Sequence, residues 1–263
     1  MITSGRIAHE VHGREHAGVP VLLVRPLGGS MALWGSFRTL LSERFRVLSF
    51  DYPGSGRSGP DPAWVSTPGL ARVGLRVLDQ LAVAQAHVFG ISLGGMTATW
   101  LAILHPDRVA KLCIASAPAR GLALTHAGIR RDLAMAACFA RPREDVEATL
   151  VDRILSRHFR ETHPDEVRRI EGLVRAEPAA RATLVKHALA GVLHDARSEL
   201  RRIVAPTLVL AGAHDTLLGT AAPRALAEAI PHATFEIVAD AGHDLTLEQP
   251  SVTATRVARF FLS

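Results

Sequence analysis

The sequence predicts an α/β fold: a doubly wound, mostly parallel sheet with a helical lid inserted between two of its strands. Three observations carry this. Short apolar runs recur along the chain, each followed by a glycine or turn cluster and then by a longer helical pattern. The runs are continuously apolar rather than alternating, as expected of parallel strands covered by helices on both faces. The rhythm breaks once, from about Gly121 to Leu200, and resumes at Ala205-Pro206. Strands that alternate with helices build a parallel sheet.

The elements follow in order. Arg6 to His12, then Gly13, is expected to supply an antiparallel edge hairpin. Val19–Val24 and Phe45–Phe50 read as buried strands. His87–Gly90, Val109–Ala115, Pro206–Ala211 and Thr234–Val238 complete the set. Helices are expected around 33–43, 67–84, 92–105, 220–230 and 247–262. The interrupted region is rich in arginine and helical in period, and Pro142, Pro164 and Pro178 cut it into about four helices. Residues 1–120 and 201–263 are therefore assigned to the core, and 121–200 to a helical lid above the C-terminal ends of the strands. Open α/β sheets bind their ligands in that location.

Composition narrows the function classes. The chain of 263 residues is 48% hydrophobic, enough for one sizeable core. Its formal net charge of +5 comes mostly from arginine, yet no dense basic block is interleaved with aromatics. Nucleic acid is therefore not an expected partner, and a basic balance fits an anionic small molecule instead. Cys113 and Cys138 form no C-x-x-C pair and no disulfide framework, which fits a reducing cytoplasm. The polar N-terminus is unlike a signal peptide, and no apolar run has membrane-spanning length. No membrane partner is expected, and the oligomeric state is not legible.

Gly90-Ile91-Ser92-Leu93-Gly94 spells G-x-S-x-G between a strand and a helix. A sharp strand-to-helix turn lifts a serine hydroxyl above the sheet, and glycines at both flanks avoid clashes. The turn also sets Ser92 at a helix N-terminus, where free N–H groups favour negative charge. The competing reading is an N-cap serine. Asp215, in the loop after Pro206–Ala211, stands where an orienting carboxylate belongs; otherwise it is a turn aspartate. His243 follows the last strand, and Gly242 lets its loop turn the ring towards Ser92. Asp240 and Asp244 compete with Asp215 but lie too near His243 in sequence to approach its far side easily.

The other candidates are weaker. His105 and His163 each precede proline and read as helix ends, and His214 as a loop residue. His9, Glu10 and His12 miss the H-E-x-x-H spacing of a metal site and are read as part of the hairpin. Ser55 and Ser58 lack the flanking glycines of the motif and a following helix. An oxyanion hole needs two backbone donors. The Leu93 amide, directly after the nucleophile, is one; Leu27, in Arg25-Pro26-Leu27-Gly28-Gly29, is chosen for the other. Pro26 has no N–H, and the glycines permit close approach.

The order Ser92, Asp215, His243 is that of the α/β-hydrolase arrangement, and the sequence resembles that family over nearly its whole length. It is particularly similar to the 3-oxoadipate enol-lactonase group. The matching stretches are Pro26–Trp34, Phe50–Ser58, Gly90–Met96, Trp100–Val109, Ala241–His243 and Leu247–Pro250. Phe159–Pro164 is similar to the lid of that group. The resemblance implies a serine hydrolase acting on a small ester or lactone through an acyl-enzyme, with a carboxylate-bearing lactone favoured and no metal or organic cofactor. A carboxylesterase or thioesterase, a C–C bond hydrolase, and a non-catalytic binding protein on the same fold are the alternatives.

Serine at position 92 excludes relatives that need an aspartate nucleophile. Many relatives have His-Gly where this chain has Arg25-Pro26. Arg25 is read either as a ligand for a substrate carboxylate or, preferred, as half of a structural ion pair. Trp34 and Trp100 are candidate pocket residues, with core packing as the competing reading.

Overall fold

A computed structural model describes residues 6–60, 65–121 and 143–263. The apolar runs form β2 (Val21–Val24), β3 (Val47–Phe50), β4 (Ala86–Ile91), β5 (Val109–Ala115), β6 (Thr207–Gly212) and β7 (Ala233–Val238). The short β1 (His9–His12) joins them in one sheet of order β1-β3-β2-β4-β5-β6-β7. The pairs from β3 to β7 are parallel. β1 is an edge strand but not half of a hairpin. It pairs antiparallel with β3, His9 opposite Phe50, and not with the next strand in sequence. β2 already has β3 on one side and β4 on the other, so β3 offers the free edge. The polar, partly exposed His-Glu-Val-His suits an edge position.

Strand pleating divides the core in two. Val21, Leu23, Phe89, Ile91, Cys113, Leu208 and Leu210 are buried on one face, which α1 (Gly35–Ser42) and α10 (Pro250–Leu262) cover. Leu22, Val24, Val88, Leu112, Ile114 and Val209 are buried on the other, under α2 (Thr67–Gln80), α3 (Leu93–Leu104) and α8 (Ala221–Ala229). Both side-chain sets need burial, hence the absence of alternation. Each fully buried aliphatic side chain stabilises the fold by roughly 1.5–3 kcal/mol relative to exposure. Ser66 starts α2 by accepting from the Gly69 N–H, with Pro68 in the first turn. The helix expected over 247–262 is two: α9 (Leu245–Glu248) and α10, broken where Pro250 holds Gln249 outside helical geometry.

The segment between β5 and β6 is helical. Its described part holds α4 (Arg143–Ile154), α5 (Arg157–Thr162), α6 (Pro164–Ala176) and α7 (Arg181–Val192). Residues 122–142, with Cys138 and Pro142, lie outside the described residues. Pro164 opens α6, and Ser156, which the proline pattern could not reveal, caps α5 by accepting from the Phe159 N–H. Val151, Leu155, Phe159 and Ile170 bury against Leu33, in the short 3-10 turn Met31–Trp34, and Leu247 of α9. Ala180, at the start of α7, donates its N–H to the Gly54 carbonyl in the loop after β3. No helix among the described residues is long and apolar enough to cross a membrane.

Candidate active site

Ser92 sits between β4 and α3 with φ +56° and ψ −121°, a backbone conformation L-residues rarely adopt. Three features impose it. The Ser92 N–H donates to the Ala115 carbonyl at 2.9 Å. A β-carbon at Gly90 would lie 2.3 Å from the Gly94 carbonyl oxygen, and one at Gly94 would lie 2.0 Å from that of Val24. Only glycine at both flanks lets strand, turn and helix approach this closely.

His243 and Asp215 come to the same place from loops after β7 and β6. Ser92 Oγ is 2.8 Å from His243 Nε2, and His243 Nδ1 is 2.9 Å from Asp215 Oδ2. An ionised carboxylate only accepts, so Nδ1 carries the proton and Nε2 accepts from the serine hydroxyl. Asp215 Oδ1 accepts from the Leu217 and Leu218 N–H groups at 2.8 and 2.9 Å. Burial pushes this carboxyl up, but the His243 ring and the two amides outweigh burial and hold it below its ordinary value. The group therefore stays ionised behind the ring. Asp240 and Asp244 are occupied elsewhere: Asp240 lies by His214 at 3.8 Å, and Asp244 pairs with Arg25.

The Arg25 loop follows β2. The Gly29 N–H donates to the Pro26 carbonyl, and Gly28 takes φ +72° at the third position of the turn. Leu27 and Leu93 line the same cavity as Ser92 and His243. The Arg25 side chain turns inward and is 1% exposed. Its Nη2 is 3.3 Å from Asp244 Oδ2, and its guanidinium lies 4.5 Å from the centre of the Trp34 ring. The ion-pair reading of Arg25 has its partner in Asp244, and the arginine also lines the cavity that holds Ser92 and His243. Burial lowers the pKa of the guanidinium, and Asp244 opposes that shift. Asp244 adjoins His243, so the pair ties the turn holding Leu27 to the loop holding the histidine.

Neither tryptophan lines the cavity, which corrects their assignment to the pocket. Trp34 is fully buried among Phe37 and Phe89, beneath the Arg25 side chain. Trp100, eight residues along α3 from Ser92, packs against the core below. Ser58 has a structural place, donating to the Asp51 carbonyl and accepting from the Ala8 N–H. His105 and His163 stand at helix ends. Among the described residues, no group of three metal-ligating side chains comes together, and His9, Glu10 and His12 remain on the edge strand.

The cavity above Ser92 has a volume of about 170 Å³. Leu33, Met96, Val151, Ile154, Leu184 and Val192 give it mostly apolar walls. Three features could not be found from motifs. Glu248 of α9 accepts from the Ser156 N–H and Oγ–H at 2.7 and 2.6 Å, pinning the start of α5 beside Gly242. Arg153 of α4 lines the cavity half-buried. His187 of α7 lines it fully buried. Glu248 lies within the matched stretch Leu247–Pro250, but that stretch does not reveal its partner, and Arg153 and His187 lie in no motif; each role depends on where the insertion folds back.

Strand order, the turn at Ser92 and the helical insertion after β5 define an α/β-hydrolase architecture. Residues 19–250 match the family model described as alpha/beta hydrolase fold, and the chain belongs to that family. A Caulobacter sp. (strain K31) protein named "Putative carbamate hydrolase RutD" is 32% identical, over 96% of this chain and 94% of its own. The 3-oxoadipate enol-lactonase 2 of Acinetobacter baylyi is 30% identical over 85% of this chain and 81% of its own. Among solved structures, the enol-lactonase of Burkholderia xenovorans LB400 superposes with a TM-score of 0.87. It is 25% identical, covering 100% of this chain and 98% of that one.

Proposed function

We propose that this hydrolase cleaves a small ester or lactone with a largely apolar acyl part, through an acyl-enzyme on Ser92. The observation that carries the reading is the continuous line from Ser92 Oγ to His243 to Asp215, opening on an apolar cavity. His243 takes the proton of Ser92 as its oxygen attacks the carbonyl. Asp215 holds the tautomer and stabilises the imidazolium. The Leu93 and Leu27 amides stabilise the tetrahedral oxyanion, and the dipole of α3 adds to them. His243 returns the proton to the leaving oxygen. It then takes one from the water that releases the acyl group.

A second reading is carbamate hydrolysis, which the names of several relatives at about 30% identity favour. The same residues would serve, with a nitrogen in place of the acyl carbon beside the carbonyl. The test is a comparison of 3-oxoadipate enol-lactone, neutral short-chain p-nitrophenyl esters and a carbamate, each with wild type and Ser92→Ala. The ester reading predicts turnover of an ester or the lactone that the variant loses. Turnover of the carbamate alone would replace it with the second reading. Equal turnover by the variant would remove Ser92 from both.

A further inference from the structure

The cavity contains a polar group that the proposed chemistry does not use. Leu184, His187, Ala188 and Gly191 follow one another at helical spacing on α7, and all four line the cavity. His187 is fully buried, and among the described residues neither of its ring nitrogens has a hydrogen-bond partner. The ring packs edge-to-face on Tyr52, with centroids 5.3 Å apart. That contact fixes the ring without supplying a conventional hydrogen bond. Burial, with Lys186 adding to it, drives the His187 pKa down to about 4, so the ring is neutral at pH 7. A neutral imidazole presents one donor and one acceptor.

Buried polar groups are ordinarily paired, and an unpaired one facing a ligand cavity is a group held ready for the ligand. The helix that carries it is fixed in place. Ala180 bonds to Gly54, and a β-carbon at Gly54 would lie 2.3 Å from Thr183 Oγ1. Small Gly191 leaves room one turn on, where Leu93 and Met96 approach.

We propose that His187 is a specificity-determining residue that binds a hydroxyl or carbonyl oxygen carried by the otherwise apolar part of the substrate. This deepens the reading of Ser92 as the nucleophile of an acyl-transfer site and rests on it. A site built around an unpaired polar group discriminates against the analogue that lacks the partner, because binding then leaves the group buried and unsatisfied.

The experiment uses methyl hexanoate with its 4-oxo, 5-oxo and 5-hydroxy forms. Binding is measured by calorimetry on the Ser92→Ala protein, and turnover on the wild type. At least one oxygenated form is expected to bind about tenfold or more tighter than methyl hexanoate. In a Ser92→Ala, His187→Leu protein the preference disappears while methyl hexanoate binds as well or better. In Ser92→Ala, His187→Gln part of it returns. Equal binding of all four ligands to Ser92→Ala overturns the proposal, whether or not the His187 variants fold. So does a loss in His187→Leu that is the same for all four. Selective binding without wild-type turnover leaves the subsite standing and counts against the nucleophile reading instead.

Discussion

At the scale of the residue, the account turns on Ser92 and Arg25. Ser92→Ala keeps the flanking glycines, so the fold is expected to persist. Ester turnover should fall by at least about a thousandfold, measured as kcat with matched circular dichroism. Ser92→Gly should also be inactive but no less stable than Ser92→Ala, because glycine adopts φ +56° without strain. For Arg25→Met the cost is in stability. The change leaves Asp244 buried without its cation, and losing one half of a buried pair costs about 3–5 kcal/mol. Urea unfolding checks this, and a loss below about 1 kcal/mol would show that the pair does not hold the two loops. The residues at strand ends were legible because the chain order of a strand–turn–helix serine, a carboxylate and a final-loop histidine constrains them. Asp244 as the partner of Arg25 was not, since the pairing spans the chain and has no local signal. Trp34 and Trp100 carry a size that fits either pocket or core, and only the packing of the sheet decides between them.

At the scale of the element, the turn between β4 and α3 is the most tightly constrained. Gly94→Ala would drive a β-carbon to 2.0 Å from the Val24 carbonyl oxygen, and backbone at that distance cannot yield as a side-chain tip can. Loss of about 1–3 kcal/mol or more, together with activity, is expected in denaturant unfolding and ester assays. Gly172→Ala, in open space on α6, should cost nothing and serves as the control. The buried strands were legible because burial on both faces leaves an unbroken apolar run. The edge strand was legible but its partner was not: a four-residue polar segment does not say which edge is free. The split at Pro250 follows from proline geometry, whereas the break at Ser156 depends on a cap whose carboxylate partner, Glu248, is distant in sequence.

At the scale of the whole molecule, stability depends on histidines kept neutral. Burial holds His87, His187 and His194 each at about 4, against 6.5 when exposed. Between those values the unfolded chain takes up protons that the folded one refuses. Each histidine therefore removes about 1.4 kcal/mol of stability per pH unit as pH falls through that window. Asp51 and Glu248 act in the opposite sense, since burial raises both and acidification relieves their charge. Asp215, held low, adds a loss only below its ordinary value of 3.8. With three histidines against two carboxyls, the melting temperature is expected to fall from pH 7 to pH 5. His87→Phe, between Phe45 and Phe261, should flatten the fall. An unchanged slope in that variant would contradict the assignment.

The central claim is that Ser92 is a nucleophile activated by His243 and Asp215. It is tested most directly by treating the folded protein with a fluorophosphonate and locating the adduct by peptide mass spectrometry. The account predicts one phosphonyl group, on Ser92, with labelling slowed strongly in His243→Ala and Asp215→Asn. No adduct on folded wild-type protein, or an adduct on another residue, would contradict it.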